Sequence, residues 1–190
     1  MEYTCAYCQK HCCFKNKMDD APVNCPTKNE SLKLNEVFKK YYESENLKIA
    51  KVSAEIVIEG IGVKTRVQEI VDFCKTMGYK KLGLAFCAAL SREAYAFAKI
   101  LNDNGFDVES VVCKLGSVKK SELGIEDNGV MMCNPIAQAE FLNDKKTEFN
   151  IILGLCVGHD TLFIKYSSAP ITVLAVKDRA LSHNPVAALK

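Results

Sequence analysis

The sequence predicts an α/β fold in which a cysteine-rich module and a helical segment precede a parallel β-sheet. Two patterns support this prediction. Five cysteines lie within residues 5–25, and after residue 80 short apolar runs alternate with amphipathic helical segments. Strands that alternate with helices usually form right-handed βαβ units, whose strands are parallel. The chain has 190 residues, which is long enough to bury a core without crosslinks.

The chain divides by composition into a small module and one larger domain. Residues 1–28 show neither a helical nor a strand period, and Pro26 with the polar residues after it marks the end of the module. Residues 29–190 are predicted to form a single α/β domain. Its first part, 29–79, is mostly helical, and its second part, 80–190, contains the βαβ units.

Apolar stripes indicate the helices of the first part. Thr65 and Gln68 have capping-box spacing at the start of one helix, and Gly78 is placed to end it. Two earlier stripes have the same helical spacing: Leu34, Val37, Phe38 and Tyr41, then Ile49, Val52 and Ile56.

The second part predicts a roughly four-stranded, Rossmann-like or flavodoxin-like sheet with helices on both faces. Ser91 is expected to cap the first of its helices, and Asn134 and Pro135 begin another. If the strand order is 2-1-3-4, the first and third strands are neighbours where the order reverses, which is where such sheets bind ligands. The predicted strands are 82–87, 108–113, 151–156 and 171–176.

The cysteines of the module predict a structural zinc site. Cys5 and Cys8 form a CxxC pair, a spacing that lets two thiolates of one turn hold the same tetrahedral ion. A redox CxxC pair is the weaker alternative because such pairs usually begin a helix after a strand. Cys12 and His11 are alternatives to Cys13. The four preferred ligands are Cys5, Cys8, Cys13 and Cys25.

A second group of cysteines is predicted to meet at one edge of the sheet. Cys87, Cys113 and Cys156 each end a predicted strand, and the carboxyl ends of parallel strands share one edge. Cys133, just before the Asn134 helix start, is a candidate fourth member. The group predicts a crevice that holds a second metal ion or an iron–sulfur cluster, or reactive thiols without a metal.

Polar residues follow the same strand ends. We expect a catalytic role for His159, Asp160 and Lys177, although Asp160 could equally cap a helix. Single buried cysteines are often only small core residues, as we expect for Cys74. Four further residues are candidates for ligand binding: Lys114, Asn134, Asp178 and Arg179.

Charge and apolar runs limit the function classes. The net charge of +2 gives no basic face for nucleic acid, and no apolar run is long enough to cross a bilayer. The first residues lack the pattern of a signal peptide. We therefore expect a cytoplasmic protein, in which ten cysteines are thiols or metal ligands rather than structural disulfides.

The chain also resembles a family of bacterial and archaeal proteins of unknown function labelled as predicted metal-binding proteins. The resemblance covers nearly the whole chain and includes "CAYC", "NCPT", "LGLAFCAALSREA", "MCNPIAQAEFLN" and "GLCVGHDTLFIKYSSAPITVLAVKDRALSHNPVAAL". It implies that Cys5, Cys8, Cys13 and Cys25 occupy the family's cysteine positions and that Cys12 is additional. It implies metal binding but no reaction.

Two functions agree with these patterns. One is an enzyme whose crevice metal or iron–sulfur centre acts on a small anionic substrate. The other is a protein without catalytic activity that binds or senses a small ligand, a metal ion or an oxidant. In both, the partner is a small molecule or a metal ion.

Overall fold

A computed structural model describes residues 2–190 and divides the chain into two compact units. The first unit ends at Ala54 and the second is Glu55–Lys190. The boundary predicted from composition lies near residue 28, within the short helix α2 (Pro26–Asn29). That the metal-binding module ends at residue 28 stays a prediction.

The first unit consists of short helical segments. Besides α2 it contains α1 (Cys12–Lys15), α3 (Ser31–Lys39) and the start of α4 (Asn46–Gly60), with 3-10 turns between them. The helix predicted from the stripe of Leu34 and Val37 is confirmed as α3, but this stripe is exposed. Hydrogen bonds also hold the cysteine-rich segment, including one of 2.6 Å from the Asn24 amide to the Thr4 hydroxyl.

The helix α5 (Arg66–Met77) begins and ends as the sequence predicts. Thr65 and Gln68 form a reciprocal capping box, in which the Thr65 backbone N–H donates to the Gln68 side chain over 2.8 Å. Gly78 follows the helix with a φ of 81°, a left-handed conformation that glycine adopts without a steric penalty.

The second unit contains a four-stranded parallel sheet, which confirms the predicted fold class. The strands are β1 (Lys81–Phe86), β2 (Asp107–Val112), β3 (Phe149–Leu153) and β4 (Ile171–Ala175). Their order is β2-β1-β3-β4, so β1 and β3 are neighbours at the reversal of strand order. Among residues 2–190, no helix is both long and apolar enough to span a membrane.

Three helices connect the strands: α6 (Ser91–Asp103), α7 (Pro135–Asp144) and α8 (His159–Tyr166). Side chains alternate between the two faces of a sheet, so Ala85 and Ile152, which are paired in register, share a face. They form one core cluster with Leu142 of α7 and Phe163 of α8. Leu84 and Ile151, on the opposite face, are also fully buried.

Three kinds of detail differ from the sequence predictions. β1, β2 and β4 each end one residue earlier than predicted, at Phe86, Val112 and Ala175. The third strand was predicted to continue to Cys156, but it ends at Leu153 because Gly154 has a φ of 70°, which is incompatible with a strand. Ser91 was predicted to cap α6, but the N-cap is Leu90, and the Ser91 hydroxyl instead donates 2.6 Å to the Ala88 carbonyl.

Candidate functional site

Two cysteines lie side by side where β1 and β2 end. β1 and β2 are paired up to Phe86 and Val112. Cys87 directly follows Phe86 in the chain, and Cys113 directly follows Val112. The Cys113 N–H still donates 2.9 Å to the Phe86 carbonyl. Both side chains belong to the core cluster beneath α7 and α8, and they are only 7% and 2% exposed.

The backbone pairing between the two strands stops at these cysteines. The Ala88 N–H donates to the Cys113 sulfur over 3.4 Å, while the Cys113 carbonyl accepts a 2.8 Å hydrogen bond from the Asn134 N–H. This second bond holds the segment before α7 against the end of β2. Cys133 therefore packs next to Cys113, and we call Cys87, Cys113 and Cys133 the thiol cluster.

Cys87 is the acidic member of the thiol cluster. Burial opposes ionisation of its thiol, but the Ala89 N–H, the Lys177 ammonium group and the Cys113 thiol all stabilise the thiolate. Together they lower the pKa of Cys87 below its ordinary value. The contacts at the end of β1 therefore stabilise the thiolate form of Cys87 relative to that of an ordinary cysteine.

Cys113 behaves in the opposite way. Its burial and the negative charge that Cys133 and Cys87 would carry raise the pKa of Cys113 to about 12, although the Ala88 N–H favours its thiolate. Cys113 thus keeps its proton while it hydrogen-bonds to the Cys87 thiolate. The two neighbouring thiols of the cluster therefore differ in acidity.

The absence of a side chain at Gly154 leaves space for the Lys177 ammonium group beside Cys87. The pairing of Phe86 with Leu153 places Gly154 beside Cys87 on the side opposite Cys113. A Cβ atom at Gly154 would lie 2.2 Å from Leu90 Cδ1 and 3.6 Å from Lys177 Nζ. The lack of a side chain at this position leaves room for both the Leu90 side chain and the ammonium group.

A buried glutamine of α7 lies under the thiol cluster. Gln138 is fully buried, and its Nε2 donates to the carbonyls of Val111 at 2.8 Å and Phe86 at 3.3 Å. The amide therefore connects the ends of β1 and β2. Its Oε1 has no hydrogen-bond partner among the described residues.

The fourth predicted cysteine lies in a different environment. Cys156 is half-buried three residues beyond β3, and the Arg179 guanidinium group lies 3.7 Å from its sulfur. His159 and Asp160 begin α8, and their backbone N–H groups donate to the Cys156 carbonyl. A catalytic role for these two residues stays a prediction.

The remaining candidates make contacts that organise loops. Lys114 donates through Nζ to the Met131 carbonyl. Asn134 caps α7, because its side-chain oxygen accepts a 3.1 Å hydrogen bond from the N–H of residue 137. Asp178 accepts two hydrogen bonds from the following backbone, and its own N–H donates 3.0 Å to His183 Nδ1. Their predicted role in ligand binding stays untested.

The amino-terminal cysteines line one cavity of about 550 Å³ in the first unit. Within this set, Cys12 is only 5% exposed, whereas Cys13, preferred from the sequence, is exposed. The thiols lining the cavity are those of Cys5, Cys8, Cys12, Cys13 and Cys25, and His11 lies in the same wall.

The described residues, 2–190, do not bring three or more His, Cys, Asp or Glu side chains into an arrangement that could hold a metal ion. The donors of the amino-terminal cavity suit zinc by their chemistry, since they are mainly thiols. They line a wall without converging on a point. Among the described residues, the thiol cluster of the second unit likewise forms no such metal-holding group.

Two residues that shape the surroundings of the thiol cluster, Gly154 and Gln138, were not among the candidates selected from the sequence. Gly154 lies within an apolar run, where a glycine does signal a close approach of neighbouring atoms. Gln138 looks like an ordinary polar position of a helix, and nothing local indicates that it is buried.

Fold and site together define a parallel α/β protein with a thiol cluster at the carboxyl edge of its sheet. The chain belongs to the family described as "Protein of unknown function (DUF1847)", whose model matches residues 25–174. It is also 47% identical over 189 residues to an uncharacterized protein, MJ0455, of Methanocaldococcus jannaschii, an alignment that covers 97% of this chain and 92% of that protein. No solved structure matches the chain significantly.

Proposed function

We propose that the second unit is a thiol-based redox site in which Cys87 reacts with a small hydroperoxide and Cys113 then forms a disulfide with it. The observation that carries this proposal is the lateral pairing of the two cysteines at the end of adjacent strands, with the Lys177 ammonium group next to Cys87. The pair can act as an oxidant sensor or as one half of a peroxide-reducing cycle.

The spacing of the two strands suits a disulfide. Neighbouring strands lie about 4.8 Å apart, and disulfides join residues whose Cα atoms are about 4.4–6.8 Å apart. Cys87 and Cys113 follow the registered pair Phe86 and Val112 on the same face of the sheet. Closing the bond also requires the two Cβ atoms to approach to about 3.5–4.5 Å, a local shift at the point where the regular pairing of β1 and β2 already stops.

The chemistry proceeds in two balanced steps. The Cys87 thiolate attacks the terminal oxygen of the hydroperoxide, the O–O bond breaks, and the leaving alkoxide or hydroxide takes a proton from water. The Cys113 sulfur then attacks the sulfur of the resulting sulfenic acid, and the Cys113 proton passes to the departing hydroxide, so the disulfide forms and water is released. One hydroperoxide is reduced by two electrons, and two thiols are oxidised.

Access to Cys87 supports a small oxidant as the substrate. Its side chain is 7% exposed, so a bulky protein disulfide would not reach the sulfur, whereas a hydroperoxide is only slightly larger than water. The adjoining Lys177 ammonium group favours the approach of an oxygen-rich or anionic group.

The test uses hydrogen peroxide and maps each cysteine separately by differential alkylation and mass spectrometry. One equivalent of peroxide should convert Cys87 and Cys113 together, and Cys87→Ser should prevent the oxidation of Cys113. Cys74→Ala is the matched control, because Cys74 is fully buried in α5 with a pKa raised by burial to about 12. Oxidation of Cys113 at an unchanged rate in the Cys87→Ser variant would refute the proposal.

A second candidate function concerns the first unit, where the cavity lined by five cysteines favours a structural zinc site. Cys5, Cys8 and Cys25 would supply three thiolates. Cys12 is the buried alternative to the exposed Cys13 as the fourth ligand. Zinc would fix the segment before α3, and this role is independent of the thiol cluster.

The two ligand sets are distinguished by measuring the zinc affinity of single variants in competition with a chelator. If Cys12 is the fourth ligand, Cys12→Ser lowers the affinity at least tenfold and Cys13→Ser does not. The reverse pattern supports the ligand set expected from the sequence. If the unmodified protein takes up no zinc, the amino-terminal cysteines do not form a zinc site.

A further inference from the structure

We infer that Cys133 takes over the disulfide from Cys87, so that oxidation ends in a Cys113–Cys133 disulfide and Cys87 becomes free to react again. This inference rests on the proposed function of Cys87 and Cys113. It assigns an order of events to the three sulfur atoms, with Cys113 as the shared partner.

The arrangement of the three thiols supports Cys113 as a disulfide partner for both of the other two cysteines. Cys113 hydrogen-bonds to Cys87 on one side and interacts with Cys133 on the other. Cys133 is held there by the bond from the Asn134 N–H to the Cys113 carbonyl. Because Cys113 is the sulfur atom that both of the others contact, it can exchange one disulfide partner for the other without a change of fold.

The contact between Cys133 and Cys113, together with the acidities of Cys87 and Cys113, sets the direction of the exchange. In the Cys87–Cys113 disulfide, Cys133 can attack either sulfur, and the reaction is faster when the more acidic thiol leaves. Attack at Cys113 releases Cys87, whose pKa is lowered, whereas attack at Cys87 would release Cys113, whose pKa is raised to about 12. Cys133 gives up its proton to solvent and attacks as the thiolate, the bond from Cys133 to Cys113 forms, the bond from Cys113 to Cys87 breaks, and the electron pair stays on Cys87 as its thiolate.

Differences in solvent access explain how the exchange would allow a reductant to reach the disulfide. Cys87 and Cys113 are both buried, so their disulfide is shielded from a reducing thiol. Cys133 is half-buried and is the most accessible sulfur of the cluster. A dithiol reductant can therefore attack at Cys133, which releases the Cys113 thiol and leaves a mixed disulfide that the second thiol of the reductant resolves.

The experiment follows disulfide identity with time after one equivalent of hydrogen peroxide, with acid quenching and peptide mapping. In the unmodified protein the Cys87–Cys113 disulfide should form first and then decline, while the Cys113–Cys133 disulfide accumulates and the Cys87 thiol returns. In Cys133→Ser the first disulfide should persist, and its reduction by dithiothreitol should be at least tenfold slower. Cys74→Ala should behave as the unmodified protein does.

The outcomes separate this inference from the proposed function. If the Cys87–Cys113 disulfide forms and persists in the unmodified protein, the exchange is refuted but the redox pair stands. If no disulfide of the thiol cluster forms, the proposed function fails as well. Circular dichroism of Cys133→Ser verifies that its sheet is intact, and Cys133→Ala, which lacks the hydroxyl, must give the same persistence.

Discussion

A methyl group at Gly154 should destabilise the second unit more than the same change at other glycines with positive φ. In Gly154→Ala the new Cβ lies 2.2 Å from Leu90 Cδ1, far inside van der Waals contact, and the backbone has a φ of 70°. Leu90 is buried, so its side chain has little space in which to move away.

The expected magnitude has two parts. A left-handed conformation costs a non-glycine residue about 1–2 kcal/mol, and forcing an extra carbon into a packed site costs about 1–3 kcal/mol. The free energy of unfolding should therefore fall by about 2–5 kcal/mol, the sum of the two ranges. Gly78 is a matched control, because its φ is 81° and a Cβ there meets no atom within 4 Å. Gly78→Ala should lower the free energy of unfolding only by the cost of the left-handed conformation, about 1–2 kcal/mol.

Urea unfolding followed by circular dichroism measures both variants. The clash is isolated by repeating Gly154→Ala in a Leu90→Val background, since valine has no Cδ1 atom and the extra cost should shrink toward that of Gly78→Ala. Equal losses for Gly154→Ala and Gly78→Ala in the unmodified background would show that the close approach at Gly154 has no energetic consequence.

Two further predictions concern the same region. Lys177→Met should shift the pH midpoint of Cys87 alkylation upward, because the thiolate loses its ammonium neighbour. The rate of Cys87 alkylation at pH 7 should also fall, because the thiolate fraction decreases and the accompanying rise in nucleophilicity offsets that decrease only in part. Lys99→Met, at an exposed ion pair, should leave the midpoint unchanged. Gln138→Glu should destabilise the protein by about 3–5 kcal/mol in urea unfolding, since it buries a carboxylate against two carbonyl groups. Gln138→Met should cost less than half as much, and equal costs would contradict this reading of the amide.

Much of the fold could be predicted because local signals and the tertiary structure agree. The capping box at Thr65 and the αL glycine at position 78 are local features, and both are confirmed. The strand order was accessible because βαβ units restrict the topologies. The end of β3 was missed, since an apolar run such as "IILGLC" does not reveal where the backbone turns to a positive φ.

The site was predictable in its location but not in its chemistry. Strand ends selected Cys87 and Cys113, since parallel strands finish at one edge. Sequence position could not show that Cys156 meets Arg179, whereas Cys133 packs against Cys113. The pKa of Cys87 is lowered and that of Cys113 is raised by burial and by contacts with backbone N–H groups and other side chains. These contacts form only in the folded protein, so the spacing of the cysteines in the sequence cannot reveal them.

The most direct test of the central claim is to trap the first oxidation product. Cys113→Ser removes the thiol that would resolve the sulfenic acid, so hydrogen peroxide with dimedone should label Cys87 in this variant and label it far less in the unmodified protein. Mass spectrometry identifies the labelled residue. Labelling of Cys133 instead of Cys87, or no label on Cys87 at all, would contradict the account.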